Sequence, residues 1–239
     1  MRISTHIFFL SFAALLSCQK VAALTEKHWG YEKPETWEGI CTAGRLQSPV
    51  DIQKTTRATL DELKFDYSEL PLKVSNNGHT LQVDAGGTGG VSIGETRFNL
   101  IQYHFHVRSE HTMKGVSSDM EVHFVHKDAA GNIAVVGVML KKGEMNPLFK
   151  SIMDMAPREK GEKGGGPMGN PGEFIPLNKG YYTYVGSLTT PDCREGLKWI
   201  VMKQPVELSE NQIKAFKDIF MNNARPVQSL NNRIVLESE

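Results

Sequence analysis

The chain has 239 residues, with 27 lysines and arginines balanced by 27 aspartates and glutamates. That length fits one domain with its own hydrophobic core plus a short extension. A net charge of zero argues against nucleic acid or an anionic membrane surface as the main partner, and composition leaves the oligomeric state, a homodimer included, open.

The first residues differ from the rest. Met1 and Arg2 precede an apolar run from Ile7 to Leu16, too short to span a bilayer, and Val21-Ala22-Ala23 follows with small-residue cleavage chemistry. Residues 1–23 are therefore expected to be a secretory signal, with a mature domain over 24–239 that is periplasmic or secreted and has no transmembrane segment. Leu15-Leu16-Ser17-Cys18 offers an alternative, a lipid anchor through Cys18. Either route leaves Cys41 and Cys193 as the cysteines of the mature domain. In an oxidising compartment the two can pair, which would add up to about 4 kcal/mol by constraining the unfolded chain.

Most of the segment from Asp51 to Val201 consists of short apolar or alternating runs broken by Gly, Asn, Asp and Pro. The pattern predicts a sheet-dominated fold. Within it, five of the eight histidines fall between His104 and His126. Strand alternation from Leu100 to Val107 puts Leu100, Gln102, His104 and His106 on one face and Ile101, Tyr103, Phe105 and Val107 on the other. A second strand, Met120 to Val125, sets Glu121, His123 and Val125 opposite Val122 and Phe124. His104, His106 and His123 can then converge, and three neutral imidazoles with one open position suit catalytic zinc. His111 and His126 are read as hydrogen-bonded structural residues. Further on, the glycine-rich stretch Gly161 to Gly172, with Pro167 and Pro171, reads as a mobile loop without regular structure. Ser209 and Gln212 form a capping box ahead of Ile213, Phe216, Ile219 and Phe220, which predicts one surface helix packed on the sheet.

Several separated strings occur in a specific order: Trp29-Gly30-Tyr31 after His28, Gln47-Ser48-Pro49-Val50-Asp51-Ile52, Asn76-Asn77-Gly78-His79, Gln102-Tyr103-His104-Phe105-His106, Ser109-Glu110-His111-Thr112, Glu121-Val122-His123, Ser187-Leu188-Thr189-Thr190-Pro191 and Trp199-Ile200-Val201. Together they resemble the α-class carbonic anhydrases, from about His28 to about Arg233. The resemblance implies a single α+β domain with a large, mostly antiparallel twisted sheet, short peripheral helices and a conical pocket with zinc at its floor. It implies a lyase that interconverts carbon dioxide and bicarbonate by attack of a zinc-bound hydroxide. By position, His104, His106 and His123 match the zinc ligands, Gln102 and Glu121 their outer hydrogen-bond acceptors, and Asn223 the residue whose backbone carbonyl holds the remaining ligand. Thr189 matches the group that accepts from the hydroxide while donating to Glu110. Val125, Val135, Leu188, Leu197 and Trp199 match an apolar wall for carbon dioxide, with Gln82 and Thr190 on the polar side. His79 matches a proton shuttle, its unperturbed pKa near ~6.5 suiting the task. Cys41 and Cys193 fall where bacterial members carry a disulfide. Asp192 stands where the family commonly has a second proline, and Val107 and Ala224 replace usual tryptophans.

Two other readings compete. His104-Phe105-His106 followed by Glu110 also fits the His-x-His-x₃-Glu signature of cupin metalloproteins, which would make Glu110 a ligand; their second signature is missing, since no histidine follows Pro167-Met168-Gly169. A binding module that had lost its metal would not be expected to keep all three histidines together with Glu110 and Thr189.

Overall fold

The computed structural model describes residues 29–239. The expected signal segment, the Cys18 alternative and His28 lie outside the described residues. Among those described, no helix is long and apolar enough to cross a membrane.

A 13-stranded sheet organises the chain. Its centre is the pair Thr96–Val107 and Met120–Lys127, which run antiparallel with His104 opposite His123 and His106 opposite Glu121. Leu81–Asp84 lies beyond the first of these strands and Ile133–Lys142 beyond the second. Most pairings are antiparallel, as expected. The sheet is nonetheless mixed, because Ile133–Lys142 runs parallel to Glu195–Met202 and to Val206–Leu208, and Leu236–Ser238 parallel to Thr56–Ala58. Parallel neighbours need a long crossover, and the chain between residues 142 and 195 supplies it.

Both faces of the sheet are covered. On one, Tyr103, Phe105, Phe124, Phe149, Phe174 and Phe216 form an apolar cluster beneath two helices. On the other, Val50, Val135, Tyr184, Leu197, Trp199 and Val201 form a second cluster. Each fully buried aromatic or aliphatic side chain is worth about 1.5–3 kcal/mol, so strands with two buried faces hold their register firmly.

The structure departs from the sequence expectations in three places. The alternation from Leu100 breaks at a bulge: pairing passes from Val125–Gln102 to His126–Leu100, leaving Ile101 over. Leu100 is therefore in the core and Ile101 is exposed, the reverse of the expected faces, while Gln102, His104 and His106 keep theirs. The single expected helix, Glu210–Lys217, is present with its capping box, and Ile213, Phe216 and Phe220 reach the core. A second helix, Pro147–Met155, starts at the Asn146 cap, whose side chain accepts from the Phe149 amide, and buries Leu148, Phe149 and Ile152. Finally, the Gly161–Gly172 stretch is not devoid of regular structure. Gly161–Lys163 pairs with Val74–Asn76, Met168–Gly169 with Leu70–Pro71, and Pro171–Phe174 makes a turn of 3₁₀ helix.

Candidate metal centre and active site

His104, His106 and His123 project from the two central strands so that one ring nitrogen of each lies within 4.8 Å of the others. Their remaining nitrogens are committed elsewhere. His104 Nδ1 is 2.8 Å from Gln102 Oε1, His106 Nδ1 is 2.7 Å from the Asn223 carbonyl, and His123 Nε2 is 2.9 Å from Glu121 Oε1. The acceptors on His104 and His106 hold their ring protons at Nδ1 and leave each Nε2 with a lone pair, while the Glu121 carboxylate, 2.9 Å from His123 Nε2 but without hydrogen-bond geometry, favours the His123 proton on that side by its charge. His106 Nε2 is buried with no hydrogen-bond partner, an orphaned acceptor of the kind a metal ion satisfies. Burial is the largest cause holding all three imidazoles below their ordinary pKa, His106 at about 4, so they stand neutral as ligands must. The donor set fits a zinc-type cation.

Glu121 is the hub beneath. One oxygen accepts from the backbone amides of Glu110 and His111, and the other faces His111 Nδ1 at 2.8 Å. Burial opposes its ionisation, yet the neighbouring His111 and His123 outweigh it and hold the carboxyl well below the usual range. His111, with His123 and Glu121, also lies close enough for a metal. That group is a closed hydrogen-bond cluster instead, because the second ring nitrogen of His111 is 2.7 Å from Tyr184 Oη. His111 is thus structural, as is His126, whose Nε2 meets Tyr67 Oη at 2.7 Å within the core.

Glu110 and Thr189 are buried beside the imidazoles. Glu110 Oε1 accepts from the Arg225 amide at 2.8 Å. Burial pushes the Glu110 carboxyl up to about 7, against the opposing pull of His123, the Arg225 amide and the Thr189 hydroxyl. Glu110 is not part of the converging nitrogen set, in contrast to a cupin ligand. Val125, Val135, Leu188, Leu197 and Trp199 come together in the second apolar cluster, and the Trp199 ring meets His123 edge-on at 4.9 Å. Gln82 is paired opposite His104, and the carbonyl of Thr190 accepts from the Cys193 amide at 2.7 Å. Cys193 is bonded to Cys41, with sulfurs 2.09 Å apart.

His79 sits apart from the triad. Its ring stacks on Trp29 at 3.7 Å, beside a cleft of about 530 Å³ that Tyr31, Phe220, Met221 and Asn223 also line. The link to the ligands is Asn223, whose Nδ2 donates to the carbonyls of His79 and Phe105 while its Oδ1 accepts from the Val107 amide.

Two contributors, Arg225 and Gly137, were not singled out from sequence, and a third acts in a way the sequence does not reveal. Asn223 was assigned only through its backbone, and nothing local reveals the three side-chain bonds. Arg225 is buried, donating to Gln47 Oε1 and to the carbonyls of Ser48 and Cys41, which fastens the disulfide segment behind Glu110. Gly137 lies opposite His123, where a Cβ would come within 2.7 Å of Glu121 Oε1. A glycine inside the apolar run Ile133 to Leu140 was a readable sign of such close approach.

The sequence model of the eukaryotic-type carbonic anhydrases matches residues 25–239. A carbonic anhydrase of Nostoc sp. is 38% identical over 219 residues, covering 89% of this chain and 82% of the relative. The α-carbonic anhydrase of Thermovibrio ammonificans, solved with the inhibitor sulfanilamide, superposes with a TM-score of 0.85 at 42% identity, over 87% of this chain and 98% of that one. A hyperthermostable carbonic anhydrase from a hydrothermal vent chimney gives a TM-score of 0.85 at 40% identity, over 89% of this chain and all of that one. With the family model spanning nearly the whole chain and relatives of this likeness, the chain belongs to the eukaryotic-type, or α-class, carbonic anhydrases, a family of lyases.

Proposed function

We propose that this chain hydrates carbon dioxide reversibly with a zinc ion held by His104, His106 and His123, and that His79 relays the released proton. The observation that carries the reading is the convergence of three imidazole nitrogens, with the opposite nitrogens of His104 and His106 hydrogen-bonded and that of His123 2.9 Å from the Glu121 carboxylate. When bound, zinc supplies Lewis acidity that makes hydroxide available near neutral pH, as it does in carbonic anhydrases.

The protein's own groups do the rest. Glu110, held by the Arg225 amide, is the acceptor we assign to the Thr189 hydroxyl, a pairing that would fix the direction in which the threonine oxygen receives a proton. Val125, Val135, Leu188, Leu197 and Trp199 give an uncharged substrate an apolar wall, with Gln82 and Thr190 opposite. His79, on the cleft wall, takes the proton outward to buffer. The disulfide agrees with an exported, periplasmic or secreted enzyme whose first 23 residues are removed.

The test is carbon dioxide hydration by purified mature protein before and after chelation. Activity should vanish with zinc and return on its addition. Activity that survives verified zinc removal would refute the reading.

A further inference from the structure

The relay role proposed for His79 requires its imidazole to stay in register with the waters of the pocket, yet it is carried on a turn at the margin of the sheet. The turn joins Val74–Asn76 to Leu81–Asp84. It closes on itself through Asn77, whose amide donates to the Thr80 carbonyl and whose Oδ1 accepts from the amides of His79 and Thr80, both at 2.9 Å. Gly78 completes it with φ of +91°, a backbone state that a side chain would strain.

Closure alone does not fix where the turn sits. On its inner side, Asn223 Nδ2 donates to the His79 carbonyl at 3.0 Å. On its outer side the next strand, Gly161–Lys163, has three residues, all exposed, and cannot hold an edge hairpin by packing. The His79 ring itself stacks on Trp29, and a further restraint, on the turn's backbone, comes from Asn76, only 4% exposed. Its Nδ2 donates to the carbonyls of Pro157 and Arg158, at 3.0 and 3.3 Å, and its Oδ1 accepts from the Gly78 amide at 2.9 Å. One side chain thus joins the segment just ahead of the glycine-rich stretch to the residue preceding His79. None of these bonds touches His104, His106, His123, Glu110 or Thr189.

We propose that Asn76 is a positioning residue for His79, clamping the turn that carries the imidazole onto the segment that begins at Pro157. The inference rests on the reading of His79 as the proton relay. Loosening the clamp lets the imidazole drift without disturbing the groups that act on carbon. Proton exit then slows while the carbon chemistry does not.

The experiment is stopped-flow hydration by the zinc-loaded enzyme in a weak, bulky buffer, comparing wild type, Asn76→Ala, His79→Ala and the double variant. Asn76→Asp is a near-isosteric second variant, which keeps the acceptor for Gly78 but turns an oxygen towards two carbonyls. For Asn76→Ala we expect kcat about three- to tenfold lower, the scale of a modest misplacement. Zinc content and kcat/KM should be unchanged, and added imidazole should restore much of the loss. Asn76→Asp should show the same split, and the double variant should lose no more than His79→Ala alone. A parallel fall of kcat and kcat/KM, an unchanged kcat, or a further loss in the double variant would overturn the proposal. A fall in His79→Ala without one in Asn76→Ala removes only the clamp; an unchanged kcat in His79→Ala removes the relay and the clamp together.

Discussion

Replacing Asn223 by alanine tests whether the candidate metal centre is held together from the C-terminal side. The side chain is 1% exposed and makes three hydrogen bonds, to the Val107 amide at 2.8 Å, the Phe105 carbonyl at 2.8 Å and the His79 carbonyl at 3.0 Å. Their loss is unequal. The Phe105 carbonyl keeps the Thr80 hydroxyl, and the His79 carbonyl is only partly buried, so the main cost is the Val107 amide left alone in the core. A buried unsatisfied donor costs about 1–3 kcal/mol, and the two weaker losses bring the total to about 3 kcal/mol. For a domain of this size that corresponds to a fall in Tm of roughly 6–12 °C. The backbone carbonyl that faces His106 Nδ1 would move with the loosened segment, and losing such an outer support weakens metal binding by about 10–100-fold. Differential scanning calorimetry of the zinc-free protein and competition against a chromophoric chelator read the two effects separately. A Tm within about 2 °C of wild type together with unchanged zinc affinity would show that Asn223 does not hold the centre together.

Other outcomes follow from the same geometry. His106→Ala should abolish zinc binding and hydration together, since two imidazoles cannot hold the site, and full zinc stoichiometry by metal analysis would contradict the assignment. Gly137→Ala, which drives a methyl towards Glu121 Oε1, should cost about 1–3 kcal/mol in stability and weaken zinc affinity; wild-type values for both would show that Glu121 can shift freely. Burial holds His126 at about 3, far below its unfolded value, so the unfolded chain takes up a proton there as pH falls from ~6.5 towards 3 and the native state does not. Stability should drop across that window by up to about 5 kcal/mol from this residue, with no contribution above it, and denaturant titrations of His126→Phe should show a shallower acid limb. Reducing the Cys41–Cys193 bond should lower stability by about 2–4 kcal/mol, and a Tm insensitive to reductant would contradict that contribution.

The sequence made the local features legible because they have a short period. Alternation placed Gln102, His104 and His106 on one face, and the Ser209–Gln212 capping box marked a helix, since each depends on neighbours a few positions away. The bulge at Ile101 was hidden because it is defined by the partner strand, where Val125 and His126 skip a residue. Gly161–Lys163 becomes a strand only through pairing with Val74–Asn76, and a glycine-rich run carries no sign of that. The Pro147–Met155 helix had a readable start in Asn146-Pro147, masked by the sheet-like runs on either side. Arg225 and the side chain of Asn223 act across more than a hundred residues, beyond any pattern of spacing.

The long reach of Asn223 also bears on the order in which the site matures. His104, His106 and His123 lie within one hairpin of adjacent strands, complete by residue 127, whereas the carbonyl that orients His106 is 117 residues away from it in the chain. An emerging chain therefore presents three imidazoles well before the group that sets the angle of the second. On the proposed reading, a metal would be captured early by these strands, and the orientation of His106 would be set only when the C-terminal segment docks. A spectroscopic metal such as cobalt, added during refolding, would then act as a reporter of the last assembly step, its coordination spectrum maturing only when residue 223 reaches its place.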